Sequence, residues 1–282
     1  MNSFNRQDNK DELYFSLFQP SLSDRWTGNL KRYRMATVNG QAWIVDQDGQ
    51  AAIDTNTGFF RKDARSWWSE SNDGNKVASG GAASRLPTPN SRRLFTNVGG
   101  GLSGLTINNA ALTATKLGVT AAQEREDLIN YIRGYDPNDP TVSRQAMGDP
   151  IHATPSLITY TAAAQSAIIG TNEGFVQMFD TATGQEQFAF MPEVLLPNIK
   201  RLRANANIGT NTHIYGMDNT VTVWTNDTNS NGVVDSGEFV YAYASMGRGG
   251  RDIYALNITN PTSPSLLWSC LLYTSPSPRD KR

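Results

Sequence analysis

The sequence is poor in the residues that build disulfides, zinc sites and acid–base catalytic centres. It contains one cysteine and two histidines among 282 residues. The lone Cys270 cannot form an internal disulfide or a cysteine-based zinc site. His152 and His213 lack the paired spacing of a zinc motif, and no G-x-S-x-G nucleophile elbow occurs. We therefore expect a protein that is not an enzyme, in which His152 makes structural hydrogen bonds.

Long apolar runs and an excess of charge of one sign are also missing. No run of about 18 apolar residues occurs, so the sequence as given predicts no membrane span. The start, MNSFNRQDNKDELYF, lacks the apolar core of a signal peptide, and an export signal would have to lie outside this sequence. Lys plus Arg number 25 and Asp plus Glu 26, so a net charge of −1 predicts no nucleic-acid partner.

Short segments rich in Val, Ile, Tyr, Phe and Trp, bounded by Gly, Asn and Asp, dominate the sequence. This pattern is typical of β-strands and predicts an all-β fold. The predicted strands cover residues 42–45, 167–170, 175–179, 220–224, 239–244 and 253–258.

A loop-rich and helical insertion is predicted at about residues 60–147. Its part from 71 to 119 is rich in Gly, Ser, Asn and Ala and predicts long loops with one or two strands. A helix is predicted over 120–133, because Thr120 and Gln123 have capping-box spacing and Gly134 can end it. The apolar stripe of this helix consists of Leu128, Ile129 and Ile132.

A short turn motif recurs along the chain. IDTNTG at 53–58 returns as FDTATG at 179–184, and a looser LNITNP stands at 256–261. The second copy lies in IIGTNEGFVQMFDTATGQEQFAF, which predicts three strands joined by two tight turns. Such a meander is the unit of a propeller blade, so we predict a modified β-propeller. A β-sandwich with chance similarity between its turns is the alternative.

The segment DTNSNGVVDSGE at 227–238 fits the calcium-loop template D-x-[DN]-x-[DN]-G-x5-E in full. Oxygen donors recur at the loop positions that calcium requires, and Gly232 stands at the sharp bend. The candidate Ca2+ ligands are Asp227, Asn229, Asn231, the Val233 carbonyl, Asp235 and Glu238.

The flanks of this loop predict strands, not the helices of an EF-hand. Metal binding should therefore order a hairpin and expose no groove. The loop carries three carboxylates, with Asn at two positions where Asp would add charge. We expect a dissociation constant of about 10⁻⁶ to 10⁻³ M. A solvated hairpin turn without metal is the alternative, since Asp, Asn, Ser and Gly also build turns.

Two look-alike motifs carry weaker predictions. DQDGQAAID at 46–54 resembles a metal loop, but its glycine comes too early, and we predict a hairpin turn. GGGLSG at 99–104 matches G-x-G-x-x-G, but no helix start follows to receive a pyrophosphate. We expect no dinucleotide site there.

Several stretches, taken in order, resemble the PilY/PilC family of type IV pilus-associated adhesins and biogenesis factors. They are RWTGNLKRYRM at 25–35, ARSWWSESNDGNKVASGGAASRL at 64–86, GDPIHATPS at 148–156, IIGTNEGFVQMFD at 168–180, the loop at 227–238, and YASMGRGGRDIYALNITNPTSPSLLW at 243–268. The similarity covers about residues 20–268.

The resemblance implies a C-terminal β-propeller that binds calcium and acts at the pilus tip and outer envelope of a Gram-negative-type bacterium. Implied partners are minor pilins, the pilus assembly machinery, and a host or abiotic surface receptor. The family's metal ligands correspond to Asp227, Asn229, Asn231, the Val233 carbonyl and Asp235. Glu238 fits the EF-hand template better than the family's shorter loop.

The resemblance also divides the chain. Residues 1–19 are a polar N-terminal segment, 20–268 a propeller fragment with exposed strand edges, and 269–282 a tail that resembles non-native read-through. Two rival interpretations remain. One is a quinoprotein-type dehydrogenase propeller, whose repeats resemble GTNEGFVQMFDTATGQ, and the other is a purely structural scaffold stabilised by calcium.

Overall fold

The computed structural model describes residues 11–38, 40–207 and 213–271. These residues form three β-sheets with few helices, which confirms the all-β prediction. In chain order the strands are β1 (Glu12–Gln19), β2 (Thr27–Val38), β3 (Gln41–Val45), β4 (Leu94–Thr96), β5 (Ser103–Gly104), β6 (Met147–Gly148), β7 (Ser156–Thr161), β8 (Ala164–Gly170), β9 (Val176–Asp180), β10 (Glu186–Phe190), β11 (Thr222–Asn226), β12 (Phe239–Ser245), β13 (Asp252–Asn257) and β14 (Ser265–Leu271). The helices of the described residues are α1 (Ala122–Arg133) and α2 (Ile199–Ala204).

The three sheets follow one another along the chain. The N-terminal sheet has the order β1–β2–β3, with β6 also paired to β2. The middle sheet has the order β5–β4–β10–β9–β8–β7, and the C-terminal sheet is the meander β11–β12–β13–β14. Every strand predicted from the sequence overlaps an observed strand, and the predicted meander is confirmed as β8–β9–β10. The sheets do not close into a ring within the described ranges, so the propeller stays a prediction.

The middle sheet is buried on both faces. One face, with Ile168, Met178 and Phe188, belongs to a large apolar cluster shared with the C-terminal sheet and α1. The opposite face, with Ile169 and Phe179, packs in a second cluster that contains Leu30, Trp68 and Met147. Successive sheets are therefore stacked face to face, with the middle sheet at the centre of the core.

The turn that recurs in the sequence is held by its aspartate in both of the first two copies. Asp54 accepts the N–H of Asn56 on its side chain and the N–H of Gly58 on its carbonyl. Asp180 does the same with the N–H groups of Thr183 and Gly184. The aspartate side chain thus stabilises each turn by replacing a backbone acceptor.

The predicted helix is present, but its predicted capping box is wrong. Helix α1 starts after Ala121, whose backbone is extended, and no side chain caps this end. The Gln123 amide instead donates to Asp127 at 3.0 Å, along the helix. Gly134 ends the helix in a left-handed conformation as predicted, and the apolar stripe is buried.

The loop-rich segment that follows β3 is held by two buried polar side chains of β2. The Lys31 ammonium donates to the carbonyls of Asp73 and Lys76 at 2.7 and 2.9 Å, and lies 2.9 Å from the Asp73 carboxylate. The Asn29 amide donates to the carbonyls of Val77 and Gly80. A segment with few large apolar residues is therefore ordered by hydrogen bonds to its carbonyls.

The two ends of the chain extend the described sheets. The N-terminal segment predicted at 1–19 contributes β1, which pairs along its whole length with β2, and residues 1–10 lie outside the described ranges. The tail predicted at 269–282 contributes the last residues of β14, and 272–282 also lie outside the described ranges. No described helix combines the length and apolar character needed to cross a bilayer.

Candidate metal-binding loop

The candidate loop, residues 227–238, joins β11 to β12. These strands are antiparallel, and Asn226 faces Phe239 where the ladder ends. The loop is therefore the tip of a β-hairpin, as the flanking sequence predicts. Ser230 and Gly232 adopt left-handed backbone conformations, with φ of 59° and 83°. They turn the chain so that alternate side chains point into the loop.

Four of the predicted ligand side chains make hydrogen bonds within the loop. Asp227 accepts the backbone N–H of Asn231 at 3.1 Å and that of Gly232 at 2.9 Å. The amide groups of Asn229 and Asn231 both donate to the same oxygen of Asp235, at 2.8 and 2.7 Å. These contacts bring loop positions 1, 3, 5 and 9 together.

Glu238 has a different role from the other predicted ligands. One carboxylate oxygen accepts the Thr228 N–H and hydroxyl, both at 2.7 Å, and the other accepts the Asp235 N–H at 2.9 Å. These hydrogen bonds, chiefly the one from the Asp235 backbone and then those from Thr228, lower the pKa of Glu238 below its usual value. The carboxylate therefore closes the base of the hairpin.

The donor groups of the loop are of the chemical type that calcium prefers. Calcium prefers carboxylate, amide and backbone oxygens, and Asp227, Asn229, Asn231 and Asp235 offer them at adjacent loop positions. Across the described ranges no three His, Cys, Asp or Glu side chains form a metal-binding group. Two of the four loop positions are Asn. If each Asn amide rotated by 180°, its oxygen would replace the N–H that now faces Asp235.

The two look-alike motifs form turns or loops without a metal-binding group. In the first, Asp46 accepts the N–H groups of Asp48 and Gln50 on one oxygen at 3.0 and 2.9 Å, which is an aspartate-stabilised turn. The second, at 99–104, lies in the connection between β4 and β5, and Ser103–Gly104 is itself the short strand β5. No helix of the described chain starts there.

Both histidines face buried aspartates. His152 Nδ1 lies 2.9 and 2.8 Å from the two oxygens of Asp218, so the predicted structural hydrogen bond is confirmed. The ring of His213 stacks on Trp26 at 4.0 Å, and its Nε2 lies 3.3 Å from Asp149. Neither aspartate stood out in the sequence, because each is more than 60 residues from its histidine and no local spacing marks the pair.

Loops that connect strands of different sheets touch one another closely at their backbones. The sequence alone did not predict this seam of backbone contacts. A Cβ atom on Gly216 would lie 2.7 Å from Gly174 Cα, and one on Gly249 would lie 1.9 Å from the Gly216 carbonyl oxygen. The N–H of Met217 donates to Thr171 at 3.0 Å across the same seam. Motif stretches that are far apart in sequence therefore meet here, and their glycines are required by close approach.

Comparison with known proteins finds relatives that are all named as the type IV pilus biogenesis factor PilY1 or its homolog. The chain is 25% identical over 286 residues to the type IV pilus biogenesis factor PilY1 of Pseudomonas aeruginosa strain UCBPP-PA14, covering 92% of the chain and 22% of that relative. The PilY1 homolog of Xylella fastidiosa is 29% identical over 189 residues, covering 55% of the chain and 15% of the relative. PilY1 of P. aeruginosa strain PAK is 24% identical over 306 residues, covering 94% and 23%.

No family model matches the chain, and no solved structure matches it. The chain spans less than a quarter of the length of the curated relatives it matches. The similarity nevertheless runs through most of its residues. The chain is thus a homologue of the PilY1 type IV pilus biogenesis factors, and the predicted kinship with the PilY/PilC family is confirmed.

Proposed function

We propose that the chain is the propeller segment of a calcium-binding type IV pilus biogenesis factor and adhesin. The observation that carries this proposal is the combination of PilY1 relatives over most of the chain with a hairpin loop whose acidic and amide side chains turn inward. The protein acts at the pilus tip on the outer envelope of a Gram-negative-type bacterium, together with minor pilins and the assembly machinery. It attaches the cell to a host or abiotic surface receptor.

The propeller part of the proposal is supported by the way in which the sheets repeat. The middle sheet contains the four-stranded meander β7–β8–β9–β10, and the C-terminal sheet is a second four-stranded meander. They share one apolar cluster and stack face to face. Propeller blades have this strand number, this connectivity and this kind of packing.

Calcium is proposed to bind Asp227, Asn229, Asn231, Asp235 and the Val233 carbonyl. The bound ion supplies positive charge between the Asp227 and Asp235 carboxylates. Glu238 acts as a positioning residue, because its oxygens hold Thr228 and the Asp235 backbone. With carboxamides at two positions, the loop binds calcium with modest affinity, about 10⁻⁶ to 10⁻³ M.

Ligand linkage turns this binding into a conformational signal. A ligand that binds only the ordered loop stabilises it by RT ln(1 + [L]/Kd), which is about 2.7 kcal/mol at a hundredfold excess over Kd. Calcium therefore shifts the balance between ordered and open loop states. In the intact protein this shift biases pilus extension against retraction.

The metal part is tested by calcium titration of wild type and of the double variant Asp227→Asn with Asp235→Asn. Calorimetry and thermal unfolding should show binding and an increase in melting temperature for wild type, and neither for the variant. Asp63→Asn is the matched control, because Asp63 is an exposed carboxylate paired with Arg61 outside the loop. An equal increase in melting temperature with calcium in wild type and in the double variant would remove calcium from the proposal.

The pilus part is tested in the cell with the complete gene. Deletion should abolish twitching motility and surface piliation, and the wild-type gene should restore both. The double loop variant should restore piliation but change its dependence on calcium in the medium. Normal piliation and twitching in the deletion strain would leave only a structural calcium scaffold.

A further inference from the structure

The candidate loop contacts the neighbouring sheet through Val234. Its backbone N–H donates to the carbonyl of Tyr160 in β7 at 3.0 Å. Its side chain packs against the apolar cluster that the middle and C-terminal sheets share. The neighbouring Val233 is not among the residues packed on that cluster. Val234 therefore links the loop to the junction between the two sheets.

Tyr160 in turn holds the opposite side of the same junction. Its hydroxyl donates to the carbonyl of Ile258 at 2.6 Å, directly after β13. Ile258 donates its own N–H to Val240 in β12 at 2.9 Å, two residues beyond Glu238. Tyr160 and Ile258 are both buried, at 7% and 0% exposure. One residue of the middle sheet is thus bound at two points by the C-terminal sheet, and one of these points is the loop.

We infer that calcium binding at the loop is coupled, through Val234 and Tyr160, to the packing of the C-terminal sheet on the middle sheet. The inference rests on the proposed calcium function and adds the element that the ion acts on. The regulated element is the junction between two stacked sheets, and not a helix pair or a groove.

The position of Val234 within the loop gives the physical reason for this coupling. It lies between Val233, whose carbonyl is a proposed ligand, and Asp235, whose side chain is another. An ion held by both neighbours fixes the backbone on either side of Val234. The N–H and side chain of Val234 then have a fixed direction toward Tyr160, and local opening of the junction becomes less frequent.

The test begins with binding, measured by calorimetry with calcium alone and by terbium luminescence. Trp224 in β11, three residues before Asp227, can sensitise a terbium ion in the loop. Wild type, Val234→Ala and Val142→Ala should bind with affinities that agree within about threefold. Val142→Ala is the matched control, since it makes the same change at an exposed valine outside the loop and both sheets. Absence of binding in wild type would refute the proposed calcium function itself.

Hydrogen exchange with and without saturating calcium then reports on the junction. In wild type and Val142→Ala, calcium should slow exchange about tenfold in residues 158–161, which lie in the other sheet. In Val234→Ala the slowing should fall below about threefold while binding persists. Residues 176–180 in β9 serve as an internal reference for global stabilisation.

Two results would overturn the inference while leaving calcium binding intact. One is slowing confined to residues 227–238, and the other is equal slowing at 158–161 in wild type and Val234→Ala. If Val234→Ala does not fold, Tyr160→Phe replaces it, because this change removes only the hydroxyl bond to Ile258. In Tyr160→Phe the calcium-dependent slowing of exchange at residues 158–161 should also be at least threefold smaller than in wild type. Slowing equal to that of wild type would refute the coupling.

Discussion

Replacement of Lys31 by Met should destabilise the protein strongly, although Lys31 is far from the candidate loop. Lys31 is fully buried, and Asp73 is 1% exposed. The ammonium donates to the carbonyls of Asp73, Gly74 and Lys76 and lies against the Asp73 carboxylate. Methionine keeps most of the side-chain volume, so the change removes charge and hydrogen bonds without opening a large cavity.

The size of the stability loss follows from the Asp73 carboxylate, which stays buried when Lys31 is replaced. Asp73 keeps its hydrogen bonds from Ser66 and Ser69, but its charge remains buried without a counter-ion. Removing one partner of a buried ion pair costs about 3–5 kcal/mol. For a chain of this size each kcal/mol lowers the melting temperature by about 2–4 °C. We therefore expect the melting temperature of Lys31→Met to be about 6–20 °C lower than that of wild type.

The assay is urea and thermal unfolding of Lys31→Met beside Arg61→Met. Arg61 forms an ion pair with Asp63 in which the two side chains are 34% and 63% exposed, so its loss should change the midpoint much less than the loss of Lys31. Limited proteolysis should cut Lys31→Met first within residues 71–86, where the lost hydrogen bonds lie. If Lys31→Met lowered the free energy of unfolding by less than about 1 kcal/mol, the buried pair would not hold this segment.

Three further predictions concern the backbone and the buried hydroxyls. Gly249→Ala should cost about 1–3 kcal/mol in unfolding experiments, because its Cβ would meet the Gly216 carbonyl, whereas Gly101→Ala, with open space around it, should not destabilise. Ser230→Gly should raise stability by about 0.5–1 kcal/mol by relieving a left-handed serine, and a lower melting temperature would contradict this. Burial raises the pKa of five tyrosines, so above pH 10 the folded state binds more protons and stability should fall by about 1.4 kcal/mol per pH unit for each. Ultraviolet titration should show them ionising only on unfolding; they are Tyr14, Tyr33, Tyr131, Tyr160 and Tyr254.

The elements that the sequence predicted are those whose signal is local. Strands β8, β9 and β10 have apolar runs bounded by turn residues, and the aspartate turn between β9 and β10 is specified within five residues. The position of the candidate loop between two strands also follows from its own residues and flanks. Such features need no knowledge of distant partners.

The elements that the sequence did not predict depend on distant partners. Strand β2 carries Lys31 and Arg32, which are buried, and no rule of alternation anticipates a charged residue in a core. Lys31 is satisfied by residues more than 40 positions away, and Arg92 by Glu186, 94 positions away. The capping box failed for a local reason instead, since Gln123 has a competing partner in Asp127, four residues along the same helix.

Glu238 shows how a local template can predict the right residue and leave its role open. The template places a bidentate ligand at position 12 of a loop whose helices hold it in register. Here strands replace the helices, and the last turn must be closed by the loop itself. The Glu238 carboxylate does this by accepting the Thr228 and Asp235 N–H groups, which leaves positions 1, 3, 5 and 9 grouped together. The proposed ligands on either side of Val234, the Val233 carbonyl and Asp235, would then link a bound ion to Tyr160 through the Val234 N–H.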